Sequence, residues 1–206
     1  LKNSDSPKLM PDLCANLGDA YVFDNDLPKA ALWYRKALFI ADSLQLPKVQ
    51  NASLYMGLGR IYLLLEDFEA SLNCYQQTEK SFSDLSLNLQ AYFLNNYGNY
   101  YYYTKDYQTS LKKFLMLKKL LEKHDKRETF SMYLCKLNLA DVYLNLNQLD
   151  LSDKCLDEVE NYMRKNGDET AIYYCNTIRI GQAVKKKDWN TVARILAGEK
   201  SNDQLD

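Results

Sequence analysis

The stretch Leu58-Gly59-Arg60-Ile61-Tyr62, followed by Asp67-Phe68-Glu69-Ala70-Ser71-Leu72-Asn73-Cys74-Tyr75, decides the fold of this chain. Its plan is a small residue, a Tyr three positions later, an apolar residue after nine and a second small residue after twelve. The plan recurs on both sides. Gly18, Gly98 and Ala140 stand where Gly59 stands, and Tyr21, Tyr101 and Tyr143 where Tyr62 stands. Leu27, Tyr107 and Leu149 match Phe68, and Ala30, Ser110 and Ser152 match Ser71. The steps from 18 to 59, 98 and 140 are 41, 39 and 42 residues. A period in this range marks a stacked array, and such arrays bind more often than they catalyse.

The first unit shows how the pattern becomes structure. Cys14, Leu17, Gly18, Tyr21 and Val22 fall at i, i+3, i+4, i+7 and i+8, one apolar helix face. Asp24-Asn25-Asp26 breaks that face; Asp26 can cap the next helix, and Pro28 is tolerated in its first turn. Leu27, Ala30, Ala31, Tyr34, Ala37, Leu38 and Ala41 form a second apolar face, closed by Leu46-Pro47. Asp67, Asp106 and Asp188 occupy the place of Asp26, with Gln148 the exception. The expected helix pairs are 11–24 with 27–44, 52–65 with 68–82, 88–104 with 107–123, 130–146 with 149–165 and 169–186 with 189–197. Gly in mid-helix costs about 1 kcal/mol against Ala. Its recurrence therefore points to a close helix crossing that returns the energy, with the Ala or Ser of the second helix opposite.

These residues resemble the tetratricopeptide repeat (TPR). Leu17-Gly18-x-x-Tyr21, Leu58-Gly59-x-x-Tyr62, Tyr97-Gly98-x-x-Tyr101 and Leu139-Ala140-x-x-Tyr143 are similar to its first-helix signature. Ala30-x3-Tyr34-x2-Ala37, Ser71-x3-Tyr75-x2-Thr78, Ser110-x3-Phe114 and Ser152-x3-Leu156 are similar to its second. The signature Trp is replaced by Cys14, Tyr55, Leu94 and Lys136, the closing Pro is mostly missing, and the period exceeds the standard 34. The resemblance implies an all-α fold, a right-handed α-solenoid of about five antiparallel helix hairpins. The expected layout is a linker or end of a preceding unit at 1–10 and an array over 11–197, with a polar tail at 198–206. The units run over about 11–47, 52–86, 88–126, 130–167 and 169–197. In the fifth, Ile180 and Ala183 replace Gly and Tyr, which reads as a terminal cap.

The resemblance also implies which places face the concave side: six, three and two before the small residue, and one, four and five after it. They read Asp12, Ala15, Asn16, Asp19, Val22 and Phe23 in unit one, and Ser53, Met56, Gly57, Arg60, Leu63 and Leu64 in unit two. Units three and four supply Tyr92, Asn95, Asn96, Asn99, Tyr102, Tyr103 and Leu134, Leu137, Asn138, Asp141, Leu144, Asn145. Asn16, Asn96 and Asn138 share one place, two before the small residue, and Gly57 interrupts them. Asn both donates and accepts, so it can pair with a peptide backbone, as the Asn ladder of long-period TPR proteins does. The competing reading is that Asn ties its helix to the neighbouring unit. The run Tyr100-Tyr101-Tyr102-Tyr103 cannot share one helix face, since successive residues point about 100° apart. Tyr97 and Tyr101 read as core; the others look into the groove or toward a neighbour. The candidate partner-binding residues are Asn16, Arg60, Tyr92, Asn96, Asn99, Tyr102, Tyr103 and Asn138. Arg60 would meet an acidic group.

Composition narrows the function. The 206 residues carry a net charge of -1, so no global field steers the chain to nucleic acid or an anionic membrane. Lys112, Lys113, Lys118, Lys119, Lys123, Lys126 and Arg127 form a basic stretch that reads first as a solvated helix face. The single His124 sits among charges, and no hydrolase, metal or phosphate-loop motif appears, so no enzyme activity, metal or cofactor is expected. No apolar run approaches the length of a membrane span. Cys14, Cys74, Cys135, Cys155 and Cys175 lack CxxC spacing and recur at repeat positions, as packing residues do. Unpaired cysteines lean toward the cytoplasm; an extracytoplasmic sensor region stays open. The polar start after Leu1 reads as a piece of a longer protein. The expected function is a non-catalytic scaffold for a protein or extended peptide, the sensing or interaction part of a larger bacterial regulator. The alternative is homodimerisation through Leu63, Leu64 and the Tyr cluster.

Overall fold

The computed structural model describes residues 6–126, 129–166 and 170–198. Arg127 of the basic stretch, residues 1–5 of the expected linker, 199–206 of the expected tail and the unit boundary at 167–169 lie outside the described residues. The chain forms two compact units, each made of several repeats and called below unit one (Leu1–Lys105) and unit two (Asp106–Asp206). Unit one holds α1 (Ser6–Phe23), α2 (Leu27–Ser43), α3 (Lys48–Leu64), α4 (Phe68–Glu79), a 3-10 turn (Phe82–Asp84) and α5 (Leu87–Tyr103). Unit two holds α6 (Tyr107–Lys123), α7 (Phe130–Asn145), α8 (Leu149–Asn166), α9 (Thr170–Lys186) and α10 (Trp189–Leu196). No strand occurs among the described residues, and the fold is the all-α, TPR-like helix array expected. α1 begins at Ser6, five residues ahead of its expected start, and carries Pro11 within it.

Each hairpin turn is built by the same local chemistry. Asp26, Asp67, Asp106 and Asp188 cap their helices by accepting from the backbone N–H of Lys29, Ala70, Thr109 and Thr191 at 3.0–3.2 Å. The residue before each cap is left-handed: Asn25, Glu66, Lys105, Asn147 and Lys187 have φ between 59° and 64°. That kink lets the N–H of Asp26, Asp67 and Gln148 donate back to the carbonyls of Tyr21, Tyr62 and Tyr143 at 2.8–2.9 Å. The signature Tyr thus closes its own helix through its backbone while its ring packs.

The small-residue crossing is a hydrogen-bonded contact. Ser71 Oγ donates to the Gly59 carbonyl at 2.8 Å, and Ser152 Oγ donates to that of Ala140 at 2.7 Å. A Cβ on Gly59 would stand 3.1 Å from Cys74 Cβ and 3.2 Å from the Tyr75 ring, closer than ordinary packing allows. In unit one the core runs from Cys14, Ala30 and Tyr34 through Leu54, Leu58 and Ile61 to Cys74. It meets an aromatic group in which Tyr75 stacks on Tyr97 at 5.3 Å and meets Phe93 and Tyr100 edge-on. Tyr97 and Tyr100 are buried, whereas Tyr101, expected in the core, is half-buried and donates its hydroxyl to that of Tyr97 at 3.1 Å.

In unit two Leu156, Val159, Met163, Cys175 and Ile178 join one core. Arg179 fixes α9 to α8: its Nε donates to Glu160 at 2.8 Å and its Nη2 to Asp157 at 3.0 Å. Ser152 also accepts from Nε2 of the buried Gln182 at 2.8 Å. Ser152→Ala therefore removes one buried bond and orphans a second donor. It is expected to cost about 1–3 kcal/mol in urea unfolding, against about 1 kcal/mol for Ser71→Ala. Equal costs for the two would contradict this account of Gln182.

Candidate functional site: a recess lined by first helices of unit one

Successive first helices pack on one another, α3 on α5 and α7 on α9. That packing changes the expected inner face. Met56 and Leu137, three before the small residue, are buried, as are Leu63 and Leu144, four after it. With Leu63 only 8% exposed, it has no surface for self-association; Leu64, at 50%, does. The places six before the small residue, and one and five after it, stay at least partly open; two before it, Asn16 is exposed and Asn138 half-buried, but Gly57 and Asn96 are buried.

In unit one these places enclose a recess of about 430 Å³, lined by Asp19, Phe23, Tyr34, Ser53, Gly57, Arg60 and Tyr92. Gly57 is its structural key. Tyr34 comes from α2, and its ring lies where a side chain at position 57 would project: a Cβ there would overlap the ring carbons and stand 2.6 Å from the hydroxyl oxygen. The gap that Gly57 leaves in the Asn series is thus the slot through which Tyr34 enters the groove side. Its hydroxyl donates to Asp19 Oδ1 at 3.0 Å, and Arg60 Nη2 reaches the same oxygen at 3.3 Å. Asp19 and Arg60 occupy equivalent places, one after the small residue, on α1 and α3. Arg60 Nε is buried without a hydrogen-bond partner.

Electrostatics follow from this layout. Burial holds the Tyr34 phenol above its ordinary range, and the Asp19 charge adds to the effect. Burial also raises Tyr92, which the Arg60 guanidinium partly offsets. The floor is therefore a carboxylate–guanidinium pair with a neutral phenol, and the walls are aromatic: Phe23 is 91% exposed and Tyr92 41%. Such a site can hold a segment by apolar contact and hydrogen bonds.

The recess brings together Arg60 and Tyr92 of the eight candidate residues. Asn16 is exposed on α1 outside it. Asn96 is buried, and its amide donates to the Tyr92 carbonyl at 2.8 Å. Asn99 and Tyr102 are half-buried on α5, and Tyr103 is exposed with its ring edge-on to Tyr102 at 5.7 Å. Asn138 is half-buried on α7, in unit two. Tyr34 was read as core alone; the signal for its second role was Gly57. Lys112, Lys119 and Lys123 lie exposed on α6, with Lys126 just beyond it. Among the described residues no cluster of His, Cys, Asp or Glu is placed to hold a metal ion, and no helix is long and apolar enough to cross a membrane. All five cysteines are unpaired.

The hairpins and their small-residue crossings define a helical repeat array of TPR type. Residues 52–78, the α3–α4 hairpin, match the family model for the tetratricopeptide repeat. The chain has a TPR-like fold, and solved structures share it. BtubC (BKLC) from P. vanneervenii is 20% identical with a TM-score of 0.71, over 81% of this chain and 68% of that one. Aspartyl phosphate phosphatase F from Bacillus subtilis is 13% identical with a TM-score of 0.74, over 93% of this chain and 49% of its own length. TPR-like repeats from Podosopora anserina, described as those of a kinesin light chain, are 11% identical with a TM-score of 0.74, over 98% and 100%. This chain thus spans about half of the phosphatase. No curated protein sequence matches it significantly.

Proposed function

We propose that this chain is a non-catalytic scaffold that holds an extended protein or peptide segment, with the recess on α1, α3 and α5 as its anchor point. The observation that carries this reading is the recess itself. Five of its seven lining residues, Asp19, Phe23, Ser53, Arg60 and Tyr92, occupy open first-helix places, and its walls are exposed aromatic rings over a paired polar floor. Exposed aromatics beside Arg are the chemistry of interface hot spots. Asn16, Asn99 and Asn138 are polar contacts for the segment's backbone, and Tyr102 and Tyr103 are side-chain contacts. Asn96 is a positioning residue, its amide bonded to the Tyr92 carbonyl. The scaffold serves as the sensing or interaction part of a larger bacterial regulator, a role supported by the likeness of its long-period units to such proteins.

Selection of a displayed peptide library on the intact chain, followed by titration of the captured peptide, tests the reading. Arg60→Ala and Tyr92→Ala are each expected to weaken binding by about 2 kcal/mol, roughly thirtyfold. Both side chains are partly exposed, so the fold survives. A captured peptide whose affinity neither substitution changes would place the site elsewhere.

A further inference from the structure

Arg179 and Arg60 each pair with carboxylates, in different ways. Arg179 spends its whole fork: Nε donates to Glu160 at 2.8 Å and Nη2 to Asp157 at 3.0 Å, while Nη1 lies 3.8 Å from Asp153. That is the geometry of a guanidinium that ties one helix to the next. Arg60, at the recess floor, makes one hydrogen bond, from Nη2 to Asp19 Oδ1 at 3.3 Å. The same oxygen already accepts from the Tyr34 hydroxyl at 3.0 Å. No described residue donates to Asp19 Oδ2, and Arg60 Nε is buried without a hydrogen-bond partner. A pair kept only to join α1 to α3 would turn two guanidinium nitrogens onto both oxygens of the carboxylate.

The floor is thus neutral in total, yet its hydrogen-bonding capacity is unspent. The Asp19 side chain is 44% exposed and that of Arg60 32%, so both can meet an occupant. Together they offer an acceptor, Oδ2, next to guanidinium donors, with the Tyr92 phenol alongside. An acidic side chain entering here is attracted by Arg60 and repelled by Asp19; a basic one meets the reverse. At similar distances the two terms nearly cancel, and the desolvation of the entering charge is left uncompensated. An apolar side chain would cover both groups and pair with neither. A carboxamide carries N–H donors and a carbonyl acceptor on one planar, uncharged group. It can donate to Asp19 Oδ2 and accept from Arg60 at once.

We propose, on the reading that this recess anchors a bound segment, that the segment's anchor residue is a Gln or Asn. The Asp19–Arg60 pair sets that choice by cancelling its own charge, so both residues determine specificity.

Selection of a displayed peptide library on three intact proteins tests this: the native chain, Asp19→Asn and Arg60→Gln. Both substitutions change partly exposed side chains, and helical circular dichroism should be unchanged. The native chain should enrich Gln or Asn at one fixed position. Asp19→Asn leaves the floor positive and should move that position to Asp or Glu; Arg60→Gln leaves it negative and should move it to Lys or Arg. In the native-selected peptide, changing the anchor to Glu should weaken binding to the native chain by about tenfold or more, and far less to Asp19→Asn. A native-selected peptide with a charged, apolar or aromatic anchor would overturn the proposal and leave the scaffold reading standing. So would one unchanged anchor preference across all three proteins. Captured peptides indifferent to both Arg60→Ala and Tyr92→Ala, or no captured peptide at all, would overturn the reading of the recess and the proposal with it.

Discussion

Tyr34→Ala is expected to destabilise the chain by about 3–5 kcal/mol, Gly57→Val by about 1–3 kcal/mol, and the two together by clearly less than their sum. Tyr34 is 6% exposed and belongs to the unit-one core, so its removal leaves a large cavity. Val at position 57 drives its Cβ into the Tyr34 ring, which must leave its slot and lose the bond to Asp19. In the double variant the clash is gone and the Val side chain occupies part of the vacated volume. Residues in direct contact couple by about 0.5–3 kcal/mol, and the sign here is favourable. Urea unfolding of the four proteins closes the cycle. Strict additivity would mean that the ring does not fill the space over Gly57, and the account of the recess floor would fail with it.

The second large effect is a loss of stability in alkali. Burial pushes the thiols of Cys74 and Cys135 from the ordinary 9.0 up to about 12, and those of Cys155 and Cys175 up to about 11. Tyr34, Tyr75 and Tyr97 are also held above the ordinary phenol value by burial. All are acids kept neutral in the folded state. Below pH 9.0 the thiols are protonated in both states and cost nothing. Above it the unfolded chain releases protons that the folded chain retains, so stability falls until the folded values are passed. Each thiol contributes a slope of up to about 1.4 kcal/mol per pH unit. Urea midpoints should therefore be flat between about pH 7 and about pH 8.5 and drop steeply by about pH 10.5. The Cys74→Ala, Cys135→Ala double variant should flatten the drop, whatever its stability at neutral pH. A drop of the same steepness in that variant would assign the alkaline loss to other groups.

Most of the fold was legible because repetition tests itself. One Gly-x-x-Tyr means little; four in step with Asp caps locate the helices, and most ends fall within two residues of expectation. The early start of α1 was hidden by the polar stretch through Pro7, within the 1–10 segment expected as a linker or the end of a preceding unit. The left-handed residues were half visible: Asn25 and Asn147 suit that conformation, but Glu66, Lys105 and Lys187 carry no local signal, because the flanking helices impose it.

The site was less legible because groove places depend on how far one first helix overlaps the next. Met56, Leu63, Leu137 and Leu144 share a helix side with the open places, yet their neighbours cover them. Arg60 was read as a contact for an acidic ligand; its carboxylate partner is Asp19, at the equivalent place one unit earlier. Gly57 looked like a break in the Asn series. Only the arrival of Tyr34 from another helix gives the break a purpose, and a first-helix pattern alone does not contain that.

Photo-crosslinking puts the central claim to its most direct test. A benzophenone side chain is placed at Phe23, which is 91% exposed at the recess, or at Lys112 on the exposed face of α6, and each protein is irradiated with the library-selected peptide. The account predicts a covalent adduct from position 23, lost when Arg60 and Tyr92 are both Ala, and none from position 112. An adduct from position 112 with none from position 23 would contradict it.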